Sequence, residues 1–205
     1  MTAVPPGAMI RSVLRPPFLA LVGPASSGKS TLGEIVARRL DRPFVDLDAV
    51  AADYYAEVGW SIERLVDRIA VVGRVAAERE WEPARTHAVG RAIESSPDAV
   101  LALGAGHTTY VDPEQRERAA SSLRRVPHRV LLVPSLDRRT ALGELRHRSL
   151  ADKGTDWIAG GHDFLAEWYD DPGAREIATG VLVTAGQTPR KSAERVVALV
   201  GGAHP

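Results

Sequence analysis

The stretch Gly23-Pro24-Ala25-Ser26-Ser27-Gly28-Lys29-Ser30 decides the fold, because it satisfies the pattern Gly-x-x-x-x-Gly-Lys-Ser/Thr at every fixed position. The apolar run 18–22 before it reads as a buried strand. Behind it, Leu32, Ile35, Val36 and Leu40 recur at helical spacing, with charges on the other side. Strand, loop and helix therefore come in the order that a phosphate-binding loop requires. In such a loop, glycines let successive backbone N–H groups curl round phosphate oxygens at a helix N-terminus, which favours negative charge. Gly23, Pro24, Ala25, Ser26, Ser27, Gly28, Lys29, Ser30 and Thr31 are thus the expected ATP-binding residues. Lys29 is expected to reach the β and γ phosphates, and the Ser30 hydroxyl to ligate Mg²⁺.

Composition narrows the remaining possibilities. At 205 residues the chain can bury one sizeable core without staples. Lys plus Arg and Asp plus Glu each number 26, and the balanced charge argues against a broad nucleic-acid-binding or membrane-surface face. There is no cysteine, which excludes disulfides, thiolate nucleophiles and Cys-based zinc sites. No apolar run approaches the roughly 20 residues of a membrane span, and residues 1–17, with scattered prolines, lack the apolar stretch of a signal peptide. The expectation is a cytoplasmic protein with a small-molecule acceptor, no nucleic-acid or membrane partner and no obligate protein partner. Residues 1–17 are read as a disordered leader and 18–205 as a single domain.

Helical and strand patterns alternate along that domain, the sign of an α/β fold with a parallel sheet. Strands are expected at 18–22, 44–46, 99–103, 130–133 and 181–183, with mostly helical patterning over 48–91, broken near Gly59, Gly73 and Pro83, and a last helix at 189–200. Trp60 and Trp81 are expected to pack the helical region on the core. Between 149 and 173 the pattern weakens into glycines, aspartates and aromatics, and such a stretch reads as a mobile lid. Trp157, Trp168 and Tyr169 within it are read as packing residues.

At the carboxyl end of the second strand stands Asp46-Leu47-Asp48, where ligands of open α/β sheets bind. One carboxylate can hold Mg²⁺ through its water shell while the other orients an acceptor hydroxyl and takes its proton. The alternative is that Asp48 only caps the next helix. His107 reads, with His87 and His162, as a surface or hydrogen-bonded structural histidine, and stands apart only because it follows a glycine turn at a strand end. His87 and His162 lack metal-ligand spacing.

The stretch GPASSGKSTLGEIVARRLDRPFVDLD (23–48) resembles the shikimate kinase family, small P-loop kinases of the nucleoside-monophosphate-kinase architecture, and the resemblance extends over roughly 18–200. It implies a three-layer fold with a five-stranded, mostly parallel sheet flanked by helices and a lid. It also implies ATP and Mg²⁺ as cofactors, Asp46 with Ser30 at the metal, and Asp48 on the substrate hydroxyl. Ser61-Ile62 matches a family position. Leu103-Gly104-Ala105-Gly106 looks like the family's Leu-Gly-Gly-Gly turn against the substrate ring, with Ala105 as a departure. Arg148-Ser149-Leu150 resembles the start of the lid, which makes Arg148 a catalytic candidate beside Lys29 and Asp48. Arg175-Glu176-Ile177-Ala178 resembles a segment carrying a substrate arginine. Arg139 and the turn 184–189 are candidates to enclose adenine.

The main departure is Trp81-Glu82-Pro83-Ala84-Arg85, where the family usually reads Phe-Arg-x-x-Glu with its arginine on the substrate carboxylate. The charge order is inverted, so Glu82 takes the place of the arginine and Arg85 that of the glutamate; Arg79 is a displaced equivalent. A Glu82 carboxylate facing the acceptor would repel shikimate. Three readings follow. The first is an ATP-dependent kinase for the hydroxyl of a small polar metabolite, with shikimate the first candidate. The second is a kinase for an amino sugar, cyclitol or nucleoside, and the third an ATP-binding regulatory module without turnover.

Overall fold

The computed structural model describes residues 15–202. Its strands are β1 (Leu19–Val22), β2 (Phe44–Asp46), β3 (Val100–Ala102), β4 (His128–Val133), β5 (Ile158–Ala159), β6 (His162–Asp163) and β7 (Gly180–Val183). Its helices are α1 (Lys29–Leu40), α2 (Leu47–Ala56), α3 (Ile62–Val72), α4 (Arg74–Glu80), α5 (Glu82–Ser95), α6 (Pro113–Leu123), α7 (Arg138–Lys153), α8 (Phe164–Asp170), α9 (Pro172–Ile177) and α10 (Pro189–Gly201). Five strands form one sheet in the order β2-β3-β1-β4-β7, and every pairing in it is parallel. β5 and β6 make a separate antiparallel pair.

Sequence alternation on the strands feeds two cores. Leu19 and Leu21 enter the layer under α1 and α10 with Leu32, Val36, Val196 and Val200. Ala20 and Val22 enter the other layer, which holds Leu47 and Tyr55 of α2, Ala88 and Ile93 of α5 and Leu145 of α7. Full burial of a leucine contributes about 1.5–3 kcal/mol, so central strands buried on both sides read as unbroken apolar runs.

The chain leaves β1 for the edge at β2, returns through β3, then crosses β1 to β4. The carboxyl ends of β1, β2 and β3 thus lie side by side near the topological switch, where such sheets bind ligands. The helical breaks also have local causes. Ser61 caps α3 by accepting from the Arg64 N–H, Gly73 separates α3 from α4, and Pro83 sits in the first turn of α5.

Two expectations need correction here. Most of the leader, residues 1–14, lies outside the described residues, but 15–17 belong to the fold: Pro17 is buried and the Pro16 carbonyl accepts from the Asp98 N–H at 3.1 Å. The 149–173 segment, whose pattern shows no clear strands, contains the end of α7, the β5-β6 hairpin, α8 and the start of α9. Phe164, Leu165, Trp168 and Tyr169 of α8 are buried in the core; the stretch 150–163, the last residues of α7 and the hairpin, carries no buried residue.

Candidate active site

The phosphate loop is shaped by backbone conformations that few side chains allow. Gly23 has φ 137°, and a Cβ there would lie 2.4 Å from the Leu132 carbonyl oxygen, so β1 and β4 can run this close only with glycine at the exit. Gly28, at φ 96°, starts α1 without a side-chain cap, which leaves first-turn N–H groups for a ligand. The Ser26 and Ser27 hydroxyls are buried and have no hydrogen-bond partner. Orphan donors around a helix N-terminus fit a polyphosphate. Lys29 is buried, its Nζ donating to the Gly23 and Pro24 carbonyls at 2.8 and 2.7 Å. Burial lowers its pKa to about 8 against the opposing pull of Asp48, so the ammonium stays charged at neutral pH.

A cavity of about 520 Å³ opens from this loop. Ala25, Ser26, Gly28, Lys29, Ser30 and Thr31 form one end, and Asp48, Arg85, Ala105, Gly106, His107 and Arg148 reach the same space. Gly23, Pro24 and Ser27 shape the loop from behind. Sequence reasoning missed Leu65, Arg74, Glu78, Asp152 and Lys153, which also line it. For Asp152 a signal existed: it lies four residues after Arg148, on the same face of α7. Arg148 is paired with Glu144 at 2.7 Å. Trp81, Trp157 and Trp168 are both packed and cavity-lining, and Arg74 lies over the Trp157 ring at 5.0 Å. Arg139 is exposed and lies off the cavity.

The two aspartates divide their roles. Asp46, not Asp48, caps α2, its Oδ1 accepting from the Asp48 N–H at 3.1 Å. The Asp48 side chain is 65% exposed and lies 3.6 Å from His107 Nδ1. The His107 ring is buried, its Nε2 is 2.8 Å from the Tyr55 hydroxyl, and burial pushes its pKa down to about 4. Gly104 runs directly beneath this group.

The inverted pair resolves differently from its simplest reading. Glu82 does not face the cavity. It is 1% exposed, and its two carboxylate oxygens accept from the Val111 and Asp112 N–H groups at 2.8 and 2.9 Å, with Arg79 at 3.6 Å and Arg85 at 3.9 Å. Two backbone amides and two guanidiniums fix the carboxylate there, which removes the expected repulsion of an anionic acceptor. Glu82→Ala should therefore act on stability, costing about 3 kcal/mol through two orphaned buried amides and uncompensated cations. Urea unfolding measures it; an unchanged midpoint would show that the amides find other partners.

Arg85 takes the cavity position instead. One Nη donates to the Gly106 carbonyl and, at 3.4 Å, to that of Thr109; the other donates to the Glu78 carbonyl at 3.1 Å. Arg175 is also corrected: it is exposed on α9, its guanidinium over the Tyr169 ring, and it does not line the cavity.

A phosphate loop, an acidic strand end and a basic helix face round one cavity meet the needs of phosphoryl transfer, which is mainly positioning and charge neutralisation. Fold and site together define a P-loop kinase. The shikimate kinase family model matches residues 25–200, and the chain belongs to that family. A shikimate kinase from a Marinomonas species is 28% identical over 190 residues, covering 90% of this chain and 92% of that protein. One from Streptomyces coelicolor is 30% identical over 175 residues, covering 85% and 90%. The structure of shikimate kinase from Acinetobacter baumannii in complex with shikimate aligns with a TM-score of 0.64 at 21% identity, over 92% of this chain and 94% of that one, a likeness of fold. Family membership makes this chain an ATP-dependent phosphotransferase acting on a hydroxyl of a small molecule. Among the described residues no helix is long and apolar enough to cross a membrane.

Proposed function

We propose that the chain phosphorylates a hydroxyl of a small polyhydroxylated carboxylate, shikimate first among them. One observation carries this reading: Arg85 stands in the cavity wall with donors to spare. Of its five N–H groups, three meet the Gly106, Thr109 and Glu78 carbonyls, and the buried Nε–H has no partner. The Nε–H has no partner and the remaining Nη2–H has only Glu82, at 3.9 Å, so both are open to a carboxylate, which a guanidinium can grip in a two-pronged fork. In this reading the acceptor oxygen bonds to the γ-phosphorus as the bridging P–O bond breaks, ADP leaves, and Asp48 takes the hydroxyl proton. Lys29 and Arg148 neutralise charge on the transferring group. The cytoplasm, where ATP is plentiful, is the corresponding location.

Mg²⁺ fits the residues present. Ser30 lines the cavity beside the loop and Asp46 ends β2, on the far side of β3 from β1, a hard-oxygen pair of the kind that holds the ion together with substrate phosphates. Among the described residues no group of three or more His, Cys, Asp or Glu could hold an ion by itself. When bound, the ion supplies charge neutralisation on the phosphates.

The test is an ADP-release assay with Mg-ATP against shikimate, sugars, cyclitols and nucleosides, for wild type and Arg85→Lys. Shikimate should give the highest kcat/KM, and Arg85→Lys should raise its KM roughly tenfold or more, since lysine cannot form the fork. Preference for an uncharged polyol that is indifferent to Arg85→Lys would overturn the carboxylate reading. Within the lid segment, 154–163 is the part we assign to closure, because none of its residues is buried. Its amide hydrogen exchange should slow at least severalfold with nucleotide and acceptor together; equal exchange in both states would rule closure out.

A further inference from the structure

His107 ends the short 3-10 turn Ala105–His107 after β3, and its ring lies between an exposed carboxylate and a buried phenol. The Tyr55 contact accounts for one ring nitrogen but not the other: the ring is 2% exposed, its Nδ1 is buried without a hydrogen-bond partner, and that nitrogen lies 3.6 Å from Asp48 Oδ1. The space between them is kept by Gly104. A Cβ at that position would lie 2.0 Å from Asp48 Oδ1 and 2.7 Å from His107 Nδ1.

We propose that His107 is a positioning residue for the acceptor-side carboxylate: Nδ1–H directs Asp48 toward the acceptor hydroxyl, and Tyr55 fixes that tautomer by donating its phenolic proton to Nε2. The inference rests on the reading of Asp48 as the group that meets the hydroxyl.

The tautomer follows from the groups that face the ring. Burial holds the imidazole neutral across the working pH range, with Asp48 pulling the other way and Arg85 and Lys29 adding to the burial effect, so the ring carries one N–H. Burial and the Asp48 charge both raise the Tyr55 pKa, so the phenol keeps its proton. Were the ring proton on Nε2, the Nδ1 lone pair would face the Asp48 carboxylate, an acceptor with nothing to accept. With Tyr55 donating to Nε2 across 2.8 Å, the proton sits on Nδ1 and every group finds its complement. The 3.6 Å separation exceeds a hydrogen bond, and such contacts are commonly long before substrate binds and tighten in the Michaelis complex.

Two measurements decide the matter. In ¹⁵N NMR of the histidine-labelled wild-type protein, His107 should be neutral and protonated at Nδ1 between about pH 6 and 8, the span over which the pKa shift keeps it uncharged. An Nε2–H tautomer would overturn the proposal whatever the variants do. In steady-state kinetics with Mg-ATP and the best acceptor, His107→Ala should lower kcat by roughly 10–100-fold, the scale of an impaired base, and leave the KM for ATP unchanged. His107→Asn, which keeps an N–H near the Nδ1 position, should recover activity that His107→Gln does not. Tyr55→Phe should lower kcat less. On an Asp48→Asn background, His107→Ala should cost little more, because the group it orients is gone. A fully active His107→Ala beside an inactive Asp48→Asn would refute the role of His107 alone. An active Asp48→Asn would instead remove the reading on which the role depends.

Discussion

Lys29→Ala should abolish turnover and leave the fold intact. The ammonium is the only side-chain cation within the loop itself, held at 2.8 and 2.7 Å by the Gly23 and Pro24 carbonyls. Removing such a preorganised charge from a transferring phosphoryl group costs on the order of 4 kcal/mol or more, roughly a thousandfold in kcat. Stability should move the other way. The folded-state pKa is lowered from 10.5 to about 8 by burial, so below about pH 8 the folded protein bears the full cost of a buried charge, and that cost fades only as pH rises from about 8 through 10.5. At pH 7 the alanine variant is free of it, and alanine suits the first turn of α1. The thermal midpoint should therefore hold or rise while ADP release disappears. Near-wild-type ADP release by a folded Lys29→Ala protein would contradict loop-based catalysis.

How much of this was legible in the sequence follows from how far apart the interacting residues lie. The loop, the helix behind it and Asp46-Leu47-Asp48 are read directly because each is contiguous and its chemistry depends on neighbours a few positions away. The sheet strands were found within two residues at each end, since strands buried on both faces must be apolar throughout. Residues 154–163 and α8 escaped because a short hairpin and a seven-residue helix carry too few periods to register. The inverted pair could be noticed but not oriented. Which of Glu82 and Arg85 turns inward depends on the Val111 and Asp112 amides, which lie 29 and 30 residues along the chain. Tyr55 was invisible for the same reason, as it meets His107 across 52 residues. Arg175 matched a short pattern, yet α9 turns it to solvent. The end of the cavity that carries the phosphate-loop motif is thus legible in the sequence, while the opposite end is written almost entirely in tertiary contacts.

The acceptor end also gives the second large effect. Asp48→Asn should cut kcat by roughly a hundredfold or more, the usual scale for loss of a general base, with ATP affinity preserved. The backbone supports the separation of these two effects. The Asp48 N–H already serves Asp46 at 3.1 Å, and this contact survives the change because it does not involve the Asp48 side chain. Asp46 therefore keeps its place at the strand end while the amide at 48 loses only the charge that would receive the hydroxyl proton. Shape and exposure are unaltered, so a fall in stability is not expected. Calorimetric titration of Mg-ATP and turnover at saturating nucleotide distinguish the assignments. If Asp48→Asn lost Mg-ATP binding and kept acceptor turnover once nucleotide was saturating, the carboxylate would belong to the metal, and Asp46 would be left as a helix cap alone. If kcat alone falls, the two aspartates one residue apart serve opposite sides of the transferring phosphoryl group, Asp46 the nucleotide and Asp48 the alcohol.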